Sequence, residues 1–205
     1  GINLARTISS FEHIELVTIF DNDINRISDA KKLYDFQTVT SLDELLQMDI
    51  EVVFIATPPA SHYSIAKKAL LANKHIFVEK PFTLDSEQAA NLVSFARQQE
   101  RHLCVFHNRR FDGDFLTLKH LIQSGQFGEI KRFESRFDRF RPIPRNRWRE
   151  NAGPGSGIFW DLGPHLIDQA LQLFGWPKAV AADILTLRES GQSDDTFDVT
   201  LYYDN

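Results

Sequence analysis

The sequence has little that would tie it down covalently or anchor it elsewhere. Among 205 residues there is one cysteine, Cys104, and one methionine, Met48. A lone cysteine excludes an intrachain disulfide and fits a reducing, cytoplasmic compartment. No apolar run reaches the roughly 18 residues a membrane-spanning helix needs, and no basic-then-apolar leader opens the chain. No Gly-x-Gly-x-x-Gly occurs; Gly153-x-Gly155-x-Gly157 falls late and does not follow an apolar run. An excess of positive charge is missing too. Lys and Arg number 23 against 28 Asp and Glu, a formal net of −5, which argues against a dedicated nucleic-acid binder. Repeats and low-complexity stretches are absent. With 42% hydrophobic and 25% charged residues, the chain has the material for a core.

In the first half, two periods alternate. Residues 14–20, 51–56, 75–78 and 102–106 are short apolar runs, the pattern of strands buried on both faces. Helical patterns lie between them. Residues 60–72 follow a double proline, with Ser61 placed as a cap. Residues 83–101 open with Asp85-x-x-Gln88, the form of a capping box. Ala89, Leu92, Val93 and Ala96 then mark one apolar face. Strands alternating with helices of this length predict βαβ units and a parallel, Rossmann-like sheet.

After Phe106 the pattern changes. Phe115, Leu118, Leu121 and Ile122 mark a helix closed by Gly125. Alternating segments follow at 130–140, 179–187 and 197–203, the pattern of a half-covered antiparallel sheet. In the last of these Phe197, Val199, Leu201 and Tyr203 share a face. A helix over 161–174 is stopped by Gly175 and Pro177. The expected fold is therefore α/β. A dinucleotide-binding domain spans 1–106, and part of an α+β substrate and dimerisation domain, with a mostly antiparallel sheet, spans 107–205.

Three places carry candidate chemistry. Ala56-Thr57-Pro58-Pro59-x-x-His62 follows a strand and opens a helix, where ligands of open α/β sheets bind; an ordinary strand-to-helix turn is the plainer reading. Glu79-Lys80-Pro81 also ends a strand. A lysine there can polarise a carbonyl or alcohol oxygen, or simply sit at the surface of a turn. Asp161 and His165 are four apart on one helix face, a plausible acid–base unit or part of a solvated polar stripe that Asp168 and Gln172 continue. Leu162, Leu166, Ala170 and Leu173 line the other side. Asp21 ends the 14–20 run, where an acidic residue accepts from the adenosine ribose hydroxyls and disfavours a 2′-phosphate; a turn aspartate is the alternative.

Taken together, Thr57-Pro58-Pro59-x-x-His62, Glu79-Lys80-Pro81, Gly155-Ser156-Gly157 and Asp161-x-Gly163-x-His165-x-x-Asp168 resemble the glucose-fructose oxidoreductase/inositol dehydrogenase/MocA family. Phe106-His107-Asn108-Arg109-Arg110 and Phe137-Asp138-Arg139-Phe140-Arg141-Pro142 extend the likeness, which is nearest to the branch containing scyllo-inositol dehydrogenases. The resemblance implies hydride transfer between NAD or NADP, with NAD favoured by Asp21, and a cyclic polyol or sugar. It implies Lys80, Asp161 and His165 as catalytic residues. Lys80 would orient the substrate, His165 would be the general acid–base, and Asp161 would hold substrate and tune the histidine. It implies cofactor contacts from Asp21, Ala56, Thr57, Pro58, His62, Glu79, Lys80 and Asn108, and a cis bond before Pro81. A homo-oligomer would form through the open face of the second sheet, with Phe133, Phe137 and Tyr203. A catalytically silent, cofactor-sensing regulator or an inert fragment is the rival reading; the joint presence of Lys80, Asp161 and His165 speaks against the regulator.

Against the family pattern, the opening strand and its Gly-rich loop are absent. The chain, which begins Gly1-Ile2-Asn3, reads as starting within the first helix, with Leu4, Ile8 and Phe11 as its apolar face, and the second sheet reads as unfinished. Arg139, Arg141, Arg145, Arg147 and Arg149 crowd one stretch, fitting either an anionic ligand or a solvated loop paired with Asp138 and Glu150. His102, Cys104 and His107 make a poor metal set, because alternation separates them. No metal is expected, and Cys104 is expected to pack as a small apolar residue.

Overall fold

A computed structural model describes residues 2–204. The chain divides into two compact units, residues 1–105 and 106–205.

In the first unit, α1 (Ile2–Ile8), α2 (Ile24–Lys31), α3 (Leu42–Gln47), α4 (His62–Leu71) and α5 (Ser86–Gln98) alternate with strands. β1 (Thr18–Ile19) pairs in parallel with β2 (Gln37–Thr38). β3 (Val52–Ile55), β4 (His75–Glu79) and β5 (Leu103–Phe106) form a second sheet in that order. β3 and β4 are parallel, in register from Val52 opposite His75 to Ile55 opposite Val78. Val53, Ile55, Ile76 and Val78 point to one face of this sheet. They pack with Leu45 and Leu46 of α3, Ala66, Ala69 and Leu70 of α4, and Leu92 and Ala96 of α5.

The strands are thus buried on one face, not both as their apolar runs suggested. The helices cover the face of Val53 and Val78; Val52 and Cys104, which alternate to the other side, are exposed. Cys104 therefore does not pack in a core. Of the 14–20 run only two residues pair, because β2 offers a two-residue edge. In α1 the buried residues are Ala5 and Ile8, and Phe11 lies exposed beyond the helix end.

Asp85 caps α5 by accepting from the Glu87 and Gln88 N–H groups (2.6 and 3.2 Å). Val93 faces out, and the partly buried Phe95 joins Leu92 and Ala96 against the core instead. Ser61 does not cap α4; its hydroxyl turns back to Thr57 Oγ1 (2.7 Å) and the Pro58 carbonyl (2.8 Å).

In the second unit α6 (Gly113–Gln123) is followed, after a long irregular stretch, by α7 (Ile158–Phe174). The antiparallel pair β6 (Ala179–Leu185) and β7 (Thr196–Tyr202) comes next. Phe197, Val199 and Leu201 are half-buried and alternate with exposed neighbours, as their spacing predicts. Phe197 meets Phe159 edge-on at 5.6 Å, and Tyr203 and Phe133 both lie on Phe174 (5.9 and 5.4 Å). Phe133 and Tyr203, expected on the open face, thus turn toward α7. On the face opposite Phe197, Val199 and Leu201, Leu185 and Tyr202 are exposed; Val180 and Ile184, paired with Leu201 and Phe197, are exposed on the α7 side.

The strand expected over 130–140 does not form. Its residues 130–139 line, with residues 195–204 and with Leu166 and Ala170 of α7, a cavity of about 1270 Å³. A ladder needs a partner edge roughly 4.8 Å away, and among the described residues no strand pairs with this stretch. Phe133 and Phe137 alone of its aromatics are half-buried.

A buried ion cluster fixes the irregular stretch to the strand pair. Arg188 reaches Asp195 Oδ2 (2.8 Å) and Glu150 Oε2 (2.9 Å), and Arg147 reaches Glu150 Oε1 (2.6 Å). Burial alone would raise the Glu150 carboxyl. The Arg145 N–H and the Arg188 and Arg147 guanidiniums outweigh it and hold the pKa at about 2. Burial opposes ionisation of Asp195 too, but the Leu187 N–H and Arg188 keep it low.

Folded-state values below the ordinary 4.5 mean that this stability is complete above that pH and lost as pH falls toward about 2. Thermal melts should therefore be flat above that value and drop steeply beneath it. Glu150→Ala, which leaves buried guanidinium groups short of a partner, should cost about 3 kcal/mol at neutral pH and flatten the acid limb.

Candidate active site

In the first unit, the parallel register puts the ends of β3 and β4 at the same edge. Beyond β3, Ala56 is half-buried, Thr57 and Pro58 are exposed, and buried Pro59 begins a short 3₁₀ turn leading into α4. At the end of β4, Glu79 and Lys80 are half-buried, and the Lys80–Pro81 bond is cis, as the resemblance implies.

Between these two turns lies His62, only 1% exposed. Its Nδ1 is 2.8 Å from the Pro81 carbonyl oxygen and its Nε2 2.8 Å from that of Thr57. Asp21 lies just past β1. One carboxylate oxygen accepts the Asp23 N–H (2.9 Å), the other sits 3.5 Å from Arg26, and a third of the side chain stays exposed. Asn108 is exposed at the start of the 3₁₀ turn Asn108–Phe111.

In the second unit, Asp161 and His165, the expected acid–base pair, sit on α7. Gly157 precedes that helix at φ +96°, a conformation L side chains rarely adopt. No side chain of the α7 segment caps the helix start; Asp194, from the β6–β7 connection, does so. Its carboxylate accepts the Phe159 N–H (2.6 Å) and its carbonyl the Ile158 N–H (2.9 Å). Asp161 follows in the first turn, with Arg149 Nε 3.3 Å from Oδ1, and the Arg149 guanidinium lies over Trp148 at 4.3 Å.

His165, one turn on, is 6% exposed. Arg110 grips Asp168 with two hydrogen bonds (2.7 and 2.6 Å), and Gln169 donates to the Arg109 carbonyl (3.2 Å). The first part of the polar stripe is therefore partnered and half-buried or buried, with Asp161 on Arg149 and Asp168 on Arg110, while Gln172 is exposed. Within the arginine-rich stretch, Arg147 pairs with Glu150 and Arg149 with Asp161, which makes Arg149 part of the acid–base region. Sequence reasoning missed Arg110 and Asp194 as partners of α7: each acts across 35 residues or more, a distance at which no local pattern registers.

Lys80 belongs to the first unit, and Asp161 and His165 to the second. Among the described residues there is no group of His, Cys, Asp or Glu able to hold a metal ion, and no helix long and apolar enough to cross a membrane.

Residues 3–107 match the oxidoreductase family with an NAD-binding Rossmann fold, and residues 115–205 match the GFO/IDH/MocA C-terminal domain. The chain belongs to the GFO/IDH/MocA oxidoreductase family. It is 47% identical to the uncharacterized oxidoreductase YdgJ of Escherichia coli, over 92% of this chain and 54% of that protein. It is 35% identical to scyllo-inositol 2-dehydrogenase (NADP(+)) IolW of Bacillus subtilis, over 98% and 55%. A solved oxidoreductase from Bacillus cereus superposes with a TM-score of 0.84 at 38% identity, covering 96% of this chain and 56% of that one. An NAD-binding protein from Listeria innocua gives 0.87 at 32%, covering 96% and 58%. The chain thus spans about half the length of the relatives it matches.

The family's nicotinamide cofactor needs polar groups beyond the carboxyl ends of the strands. The exposed Thr57, the half-buried Lys80 cation and the part-exposed Asp21 carboxylate supply that chemistry.

The geometry of the α7 start is testable. A Cβ on Gly157 would collide with Asp194 Oδ1, so Gly157→Ala must both strain φ and displace the cap; it should cost roughly 2 to 4 kcal/mol. Asp194→Ala should cost about 1 to 2 kcal/mol, Asp194→Ser markedly less. Urea denaturation of the three variants measures this order.

Proposed function

We propose that the residues of this chain serve an NAD(P)-dependent dehydrogenase that oxidises a CH–OH group of a cyclic polyol or sugar, or reduces the corresponding ketone. The observation that carries the reading is the pair of short, fixed turns after β3 and β4, which present Thr57 and Lys80 at one sheet edge. It is joined by α7, which holds His165 one turn from Asp161. The scyllo-inositol dehydrogenase among the relatives supports the polyol class.

The nicotinamide, when bound, supplies the hydride acceptor or donor. The protein's part is the proton. As hydride leaves the carbon, the hydroxyl must lose its proton to a base. His165 is that base. Lys80 orients the hydroxyl oxygen, and its charge favours the developing alkoxide. Asp161 holds a neighbouring substrate hydroxyl and orients His165. Ala56, Thr57, Pro58, Glu79 and Asn108 line the cofactor, and Asp21 faces the adenosine ribose. Asp21 favours NAD; Arg26, 3.5 Å from it, tempers the repulsion of a 2′-phosphate. A second copy covers the exposed surface of the β6–β7 pair, where Val180 and Ile184 on one face and Leu185 and Tyr202 on the other are exposed. The setting is cytoplasmic, in keeping with the single cysteine.

Quenching of Trp148, Trp160 and Trp176 during titration with NADH and NADPH tests the cofactor half. Saturation by either supports it, and a folded chain that binds neither overturns it for these residues alone. In protein that turns over, His165→Asn should lower kcat by roughly 10² to 10⁴ and leave NADH affinity within about threefold. Lys80→Met should act likewise. Retained turnover in either variant across a panel of inositols and sugars would remove that residue from the mechanism.

A further inference from the structure

We infer that His62 is a positioning residue: a clamp between the two turns that carry Thr57 and Lys80, rather than a group that touches the cofactor. The functional half of this inference rests on the cofactor reading above; the structural half does not.

The ring has almost no surface to offer a ligand, and both nitrogens are engaged with main-chain carbonyls at 2.8 Å. The two carbonyls lie 19 and 5 residues away along the chain, one beyond β4 and one beyond β3. An imidazole is rigid, so the separation of its two nitrogens is fixed. Neither turn can shift relative to the other without breaking a hydrogen bond inside a dry site. Pro59 and Pro81 are buried beside these contacts, which keeps water from replacing them.

The placement of the bonds matters as much as their number. Thr57, whose carbonyl is held, is itself exposed. Lys80 immediately precedes the held Pro81. Ser61 braces the same β3 turn through Thr57 Oγ1 and the Pro58 carbonyl. The two carbonyls that His62 contacts therefore belong to one residue that the cofactor reading uses and to the neighbour of the other.

The chemistry also selects the residue type. Two carbonyl oxygens at this distance call for two nitrogens aimed in opposite directions. The rigid imidazole sets its two nitrogens at a fixed spacing on opposite sides of one ring; Asn and Gln carry their donors on a single nitrogen.

Two measurements test the clamp without reference to activity. Long-range ¹H–¹⁵N NMR of the wild-type ring should show its N–H signals exchanging slowly with water; a ring N–H in fast exchange overturns the clamp. Hydrogen exchange of His62→Ala should show residues 57–61 and 80–83 both loosened, and that of His62→Gln at least one of the two, with β3, β4 and the interior of α5 still protected. Loosening confined to one turn in His62→Ala, or none in either variant, also overturns it. If His62→Ala does not fold, His62→Gln and the wild-type NMR decide.

The functional test is NADH affinity. Loss of the fixed spacing should raise the Kd about tenfold in the folded variants, the equivalent of one hydrogen bond's worth of alignment. A lowered melting temperature with unchanged NADH affinity would assign His62 to stability alone. If the wild type binds neither NADH nor NADPH, the cofactor reading has failed, and the clamp still stands or falls on the ring protons and the exchange pattern.

Discussion

A rigid buried ring with its two nitrogens 2.8 Å from two main-chain carbonyls ties both stretches of backbone to one spacing. His62 does this with the carbonyls of Thr57 and Pro81, and the arrangement of the first unit's sheet edge follows from it. The parallel register of β3 and β4 brings both turns to one edge. The burial of Val53, Ile55, Ile76 and Val78 against α4 and α5 holds that edge still. Since His62 is the first residue of α4, the helix that covers the sheet is also the one that ties its ends. Core packing and site geometry in this unit are one constraint, and a change at either is felt at the other.

The second unit reaches the same end by another route. Its working helix, α7, begins after a glycine at φ +96° and lacks a cap of its own. The cap comes from Asp194, in the connection between β6 and β7. The adjacent Asp195 joins Arg188 and Glu150 in a buried cluster that holds the segment leading to Arg149. Arg149 in turn sits beside Asp161. A short stretch of hairpin connection thus governs both where α7 starts and what charge lies next to its first carboxylate. An ionic cluster of this kind contributes little net stability by itself. Its worth lies in specifying one arrangement of an otherwise irregular stretch.

What the sequence made legible was local, and what it hid was contact between distant residues. The α5 cap was readable because Asp85 and the N–H groups it accepts lie within three residues. The inward face of β7 was readable because strand alternation is a property of neighbours. Residues 130–140 carry the same alternation and form no strand. A pattern states which way side chains point, while a ladder requires a second backbone to pair with, and among the described residues none pairs here. The continuous apolar runs of β3 to β5 misled in the same sense: composition matched two covered faces, but only one face has helices over it.

His62 shows the difference most sharply. Its place in Thr57-Pro58-Pro59-x-x-His62 put it just beyond the end of β3. Nothing in that spacing could reveal that its second partner lies 19 residues away, on the next strand's turn. A residue conspicuous at a site from sequence is a contact or a support, and only burial tells these apart. A ring that is 1% exposed with both nitrogens taken has no atom left to offer a ligand, so whatever His62 does for binding, it does by fixing where Thr57 and Lys80 stand.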